Sequence, residues 1–121
     1  MIIFTDSGLK EFCFTTDSGK IVCKKHDIQV TVNEAEYIAL ISALTWVDSH
    51  DVPDKLIEFK SDSQLMVNQI NGTYKCKSPR LGSLKKTVWS IARKLIKAGK
   101  EISFSWVPRE ENPAGIYLEY K

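Results

Sequence analysis

Ile57-Glu58-Phe59-Lys60-Ser61-Asp62-Ser63-Gln64-Leu65-Met66-Val67-Asn68-Gln69-Ile70-Asn71-Gly72 changes its period in mid-course. Ile57 and Phe59 alternate with Glu58 and Lys60, the two-residue repeat of a strand, and Leu65, Met66 and Ile70 then fall at helical spacing until Gly72 stops the run. Asp62 stands at the changeover. A carboxylate where a strand ends and a helix begins is where an open α/β sheet places ligands and chemistry. The stretch therefore suggests both a class of fold and a place to look for a site.

Moving upstream, Pro53 and Asp54 mark a return loop, preceded by a helix that opens at Thr31-Val32-Asn33-Glu34, a Thr-x-x-Glu capping signal, and runs to about Trp46 or Val47. Tyr37, Leu40, Ile41 and Leu44 share one face of it, and Ile38, Ala39 and Ala43 spread apolar surface around the rest, so the helix should be mostly buried. Before it, Ile2 to Phe4, Phe12 to Thr15 and Lys20 to Cys23 read as three strands. Asp17-Ser18-Gly19 supplies a hairpin loop between the last two, and the three form an antiparallel meander.

Downstream, Leu81, Leu84, Val88, Ile91 and Leu95 recur at three- and four-residue steps in a long helix that begins near Pro79 and ends at Gly99. Lys86, Trp89, Arg93 and Lys97 lie on another face; Lys86, Trp89 and Arg93, with Lys75, Lys77 and Arg80 just ahead, are candidates to contact the phosphates of a nucleic-acid strand. Ile102, Phe104 and Trp106 alternate as a last strand, and Asn112-Pro113 caps a short terminal helix. The order is βββαβααβα, with no internal repeat and no Pro/Gly/Ser-rich linker, so residues 1–121 are expected to form a single domain.

Composition narrows the class. A chain of 121 residues that is 43% hydrophobic and 26% charged is ordinary for a globular protein, and it has no apolar run long enough to cross a bilayer. The N-terminus meets Asp6 with no basic region before it, unlike a secretion signal, and a cytoplasmic monomer is expected. Cys13, Cys23 and Cys76 make an odd count without metal-ligand spacing and are read as free thiols. His26 and His50 are read as solvated, and the glycosylation-like Asn71-Gly72-Thr73 as chance.

Asp6 and Asp62 each end an expected strand. If those strands are parallel neighbours, the two carboxylates meet at one sheet edge, and Glu36, in the first turn of the intervening helix, can join them. Three clustered carboxylates raise one another's pKa unless a cation neutralises them, and an all-oxygen set suits Mg²⁺ or Mn²⁺. Two such ions, about 4 Å apart, would suit phosphodiester hydrolysis.

These residues carry a resemblance. Ile3-Phe4-Thr5-Asp6, Asn33-Glu34-Ala35-Glu36-Tyr37, Ser61-Asp62-Ser63-Gln64, Val67 to Gly72 and Trp106-Val107-Pro108-Arg109-Glu110-Glu111-Asn112 resemble, in order and over nearly the whole chain, ribonuclease HI of the compact subgroup without a basic protrusion. The resemblance implies a five-stranded mixed sheet with helices on both faces. It also implies an endonuclease that cuts the RNA strand of RNA/DNA hybrids with two divalent metals, leaving 5′-phosphate ends. Asp6 would bridge both ions, with Glu36 and Asp62 holding the ion at the leaving oxygen. Asn33 and Gln64 match positions that read the hybrid's minor groove, and Thr31 one that grips a DNA phosphate; Asn33 is also a candidate helix cap.

The pattern breaks in the terminal helix. The family's fourth acid, an Asp, would follow Ala114, where this chain has Gly115. Glu119, one turn on at about 6 Å of rise, is the candidate catalytic replacement, with Glu110 and Glu111 as alternatives. The glycine-rich loop after the first strand is also missing, as is a histidine before the terminal helix. A disabled binding module of the same fold is the second reading, and a nuclease of the same broad fold acting on DNA junctions the third.

Overall fold

The computed structural model describes residues 1–119. Five strands, β1 (Ile2–Ser7), β2 (Glu11–Thr16), β3 (Ile21–Lys25), β4 (Leu56–Ser61) and β5 (Glu101–Trp106), form one sheet in the order β3-β2-β1-β4-β5. The first three are antiparallel neighbours, and β4 pairs in parallel with both β1 and β5. The helices are α1 (Val32–Ser49), α2 (Gln64–Ile70), α3 (Pro79–Lys97) and α4 (Pro113–Glu119), with a 3₁₀ turn at Arg109–Glu111 before the last. The expected order of elements is the observed one.

Each boundary has a local cause. The Thr31 hydroxyl accepts from the Glu34 N–H at 3.2 Å while the Glu34 carboxylate accepts from the Thr31 N–H at 3.1 Å, so the capping box forms with Thr31 as the cap. Asn33 is then the second residue of α1 and caps nothing. Ser63 and Ser78 cap α2 and α3 with their hydroxyls alone, accepting from the N–H of Met66 and of Leu81. Gly72 and Gly99, at φ 83° and 99°, take the left-handed conformation that lets the chain leave α2 and α3. The Asn71 amide donates to the Phe104 carbonyl at 2.9 Å, which gives the glycosylation-like triplet a structural role.

The core lies between the sheet and the α1–α3 layer. Ile3, Phe14, Ile57 and Phe59 from the sheet meet Tyr37, Leu40 and Leu44 of α1 and Val88 and Ala92 of α3, all buried. The Tyr37 hydroxyl donates to buried Gln69 at 2.9 Å and so satisfies both polar groups. Helix α4 packs on β1 and β2 from the other face. Among the described residues no helix is long and apolar enough to cross a membrane.

The cysteines depart from expectation. Cys13 and Cys23 face each other in the β2–β3 register, Cα to Cα 4.1 Å, and form a disulfide; Cys76 is the free thiol. Both are equidistant from Ser18, the centre of the hairpin loop, so the turn itself brings them opposite. His26 also departs: it is half-buried against Phe12, ring centroids 5.1 Å apart, with Nε2 2.9 Å from the Ser7 hydroxyl and 3.0 Å from the Gly8 carbonyl oxygen. The β2–β3 hairpin folds it back onto the turn after β1. His50 is exposed at the end of α1, as expected.

Candidate active site

The parallel β1–β4 pairing sets Thr5 opposite Ser61, so the next residues, Asp6 and Asp62, emerge side by side at the carboxyl edge of the sheet. Helix α1 crosses behind that edge and presents Glu36 from its first turns. Carboxylate oxygens of Asp6, Glu36 and Asp62 all lie within 4.8 Å of one another. The backbone of Asp62 is fixed from β5, where the Trp106 indole N–H donates to its carbonyl at 3.2 Å.

The cluster is electrostatically uncomfortable as it stands. Asp6 and Glu36 are only 5% and 6% exposed, and burial is the main reason their carboxyls are pushed up, to about 6 and about 8. Repulsion from Asp62 adds to both, and repulsion from Asp6 to Glu36. The Ser7 N–H and the Arg109 guanidinium oppose the shift at both. Glu36 Oε1 and Asp62 Oδ2 are buried and have no hydrogen-bond partner. Buried polar oxygens are ordinarily paired, so orphaned ones aimed into an all-carboxylate cluster fit a hard divalent cation.

Arg109 is the residue the sequence reading passed over. It sits in the 3₁₀ turn and lines two clefts, a ≈ 230 Å³ one with Glu36, Asp62, Ser63 and Asn33, and a ≈ 450 Å³ one with Asp6, Gly115 and Glu119. The motif that contains it was recognised as family pattern, but no spacing argument ties an arginine in a loop to acids at residues 6 and 36. Only the fold brings them together.

The remaining expected residues divide. Asn33 shares the smaller cleft with the acids. Thr31, exposed, is committed as the cap of α1, and Gln64, also exposed, begins α2 two residues after Asp62; neither lines either cleft. Glu119 lines the larger cleft but stands outside the cluster of three carboxylates, and Glu110 and Glu111, both exposed, line neither cleft.

Gly115 is the centre of the departure from the family pattern. A Cβ built on it would lie 3.0 Å from Asp6 Oδ2 and 3.6 Å from Asp6 Cγ, so a side chain at this position points at the carboxylate. Helix α4 is anchored at its start. Asn112, fully buried, donates from Nδ2 to the Thr5 carbonyl at 2.9 Å and accepts on Oδ1 from the Ala114 N–H at 3.1 Å, tying the helix start to β1 one residue before Asp6.

Comparison with known proteins agrees with this architecture. A family model described as reverse transcriptase-like matches residues 7–118. Among solved structures, LC11-RNase H1 in complex with an RNA/DNA hybrid is 28% identical, at TM-score 0.78 over 97% of this chain and 91% of its own. Ribonuclease H1 of the halophilic archaeon Halobacterium salinarum is 27% identical, at TM-score 0.72 over 97% and 92%. The N-terminal RNase H domain of a Mycobacterium tuberculosis protein is 26% identical, at TM-score 0.73 over 93% and 84%.

Proposed function

The chain belongs to the reverse transcriptase-like family, in its ribonuclease HI type, and from that premise we propose that it is an endonuclease that hydrolyses the RNA strand of RNA/DNA hybrids with divalent metal. The observation that carries the proposal is the joined set of Asp6, Glu36 and Asp62, with orphaned oxygens on two of the three. A solved likeness bound to an RNA/DNA hybrid supports the choice of substrate.

Asp6, Glu36 and Asp62 would hold Mg²⁺, or Mn²⁺ in its place, with two ions expected. Bound there, such ions lower the pKa of water and neutralise charge on the leaving oxygen. The protein's own groups do the rest. Arg109, beside both clefts, draws the scissile phosphate to the acids and offsets their charge before substrate arrives. Asn33 and Gln64 offer amide groups to the minor groove, where 2′-hydroxyls distinguish the RNA strand. The Thr31 hydroxyl accepts from Glu34 and keeps its own proton free to donate to a DNA phosphate oxygen. Glu119 would take the part of the missing acid, its carboxylate accepting a hydrogen bond from water on the Gly115 side of Asp6. The products would be a 5′-phosphate and a 3′-hydroxyl.

The single sheet and continuous core support treating the chain as one domain, which we take to act as a monomer. A cytoplasmic location belongs to the same proposal; the Cys13–Cys23 bridge bears against it, since disulfides are rare in a reducing cytosol. A second reading, a binding module with a disabled site, is favoured by Gly115 alone.

End-labelled hybrid, duplex RNA and duplex DNA, incubated with Mg²⁺ or Mn²⁺, separate the two. The nuclease cuts the RNA strand of the hybrid and Asp62→Asn does not. Hybrid binding without cleavage in either metal would favour the module.

A further inference from the structure

Charge is divided sharply along this chain. Residues 63–100 hold nine of the 17 Lys and Arg and none of the 15 Asp and Glu, so this segment is formally +9 and the remainder −7, against +2 overall. The segment is α2, the loop after it and α3. Within it a groove of ≈ 390 Å³ is lined by Cys76, Gly82, Lys85, Lys86, Trp89 and Arg93. Trp89 forms a fixed wall, its indole N–H donating to the Ile70 carbonyl at 3.1 Å and its ring set edge-on to Phe104 at 5.6 Å. Among the described residues none of Lys75, Lys77, Lys85, Lys86 and Arg93 makes an ion pair, whereas Lys94 and Arg80 do.

The helix that carries the groove is bonded to the helix that carries Glu36. Arg80, in the first turn of α3, bonds to Glu34 at 2.9 Å, and Glu34 lies in the first turn of α1 next to Asn33, which shares a cleft with Glu36 and Asp62. The start of α3, the helix that carries the groove, is thereby tied to the start of α1, the helix that carries Asn33 and Glu36 to the acids' cleft. A polyanion meeting this molecule is repelled by the −7 portion and attracted to the +9 segment. We propose that the α3 groove is a second nucleic-acid contact, in which Lys85, Lys86 and Arg93 take backbone phosphates of the duplex away from the bond that is cut. This rests on the nuclease reading and assigns to the groove affinity rather than chemistry.

The partner is a duplex because its charge is continuous, so one ligand can reach both the acids and the groove. Neutralising two phosphate contacts removes their released counterions from the binding equilibrium, which salt titration measures directly. The test uses an RNA/DNA hybrid of about two helical turns and the full chain, with Asp62→Asn present for binding measurements so that nothing is cut.

The double variant Lys86→Gln/Arg93→Gln should lower the slope of log K against log[KCl] by about 2. It should raise KM of the cleaving enzyme about tenfold at low salt and leave kcat unchanged, while Lys86→Arg/Arg93→Lys, which keeps both charges, should restore the slope. Cys76 offers a reading independent of both substitutions: hybrid should slow its alkylation by a maleimide several-fold. An unchanged slope, or Cys76 equally reactive with and without hybrid, would overturn the groove while native cleavage of the hybrid left the nuclease reading standing. A native chain that neither binds nor cuts the hybrid would overturn both.

Discussion

On one side of Asp6 stand Glu36 and Asp62, buried or half-buried, brought together by a parallel strand pair and a capped helix, with two oxygens left unpaired. On the other side Gly115 leaves an open cleft of ≈ 450 Å³, which Glu119, an exposed residue four positions further along the same helix, helps to line. The two sides differ in how their positions are enforced. The first is held by sheet register, which a change of one side chain does not move. The second depends on what a single residue of a short helix carries, and that residue carries nothing beyond hydrogen.

The comparison can be broken most directly at its strong side. Asp62→Asn should reduce metal-dependent hybrid cleavage by about a thousandfold or more, since several kcal/mol of charge stabilisation are removed. Cleavage within tenfold of native would mean that the joined carboxylates are not the working half. At the weak side, Gly115→Asp should raise cleavage at saturating metal by about ten- to a hundredfold, the range by which supporting groups tune a metal site. Its Cβ would sit 3.0 Å from Asp6 Oδ2, so Asp6 must shift by a few tenths of an ångström, and the metal-free variant should melt below the native protein. No gain in cleavage would show that the open side is already complete.

Glu119→Gln sharpens the same question from the native side. It should lower kcat by about tenfold, less than a well-placed proton-accepting group contributes because Glu119 stands outside the carboxylate cluster, while Glu110→Gln and Glu111→Gln change nothing. The smallest effect concerns stability. The folded carboxyls of Asp6 and Glu36, pushed up to about 6 and about 8 from ordinary values of 3.8 and 4.5, hold their protons longer than the unfolded chain does. Their contribution is therefore fully present below about pH 4 and is lost as pH rises towards 8. In chelator the melting temperature should fall by on the order of 10 °C between pH 5 and pH 8, and Mg²⁺ or Mn²⁺ should recover most of the fall at the higher pH. A flat profile in chelator would contradict the strained cluster.

Much of this was legible from residue order. The change of period at Asp62, the meander before Thr31 and the capping box place β1, β4 and α1, and those three elements carry the acids. Register did the rest: Thr5 opposite Ser61 is enough to set Asp6 beside Asp62. What escaped had no local signature. Arg109 reaches the acids only because the chain returns past β4 through β5. His26 reaches Ser7 only because β2 and β3 fold back on the first turn. The Cys13–Cys23 pairing was present in the symmetry of the hairpin about Ser18 but was hidden by counting three cysteines rather than placing them.

The anchoring of Asn112 to Thr5 has a practical corollary. It fixes the backbone of α4 whether or not an acid hangs from it, so the cleft bordered by Asp6 and Gly115 keeps its shape. That ≈ 450 Å³ cleft is large enough to admit a small carboxylate from solution, acetate or formate, and so to receive an oxygen that the chain itself does not present from Gly115. The anion chosen to buffer an assay should then act as a reagent, with metal-dependent cleavage faster in acetate than in chloride at the same pH and ionic strength.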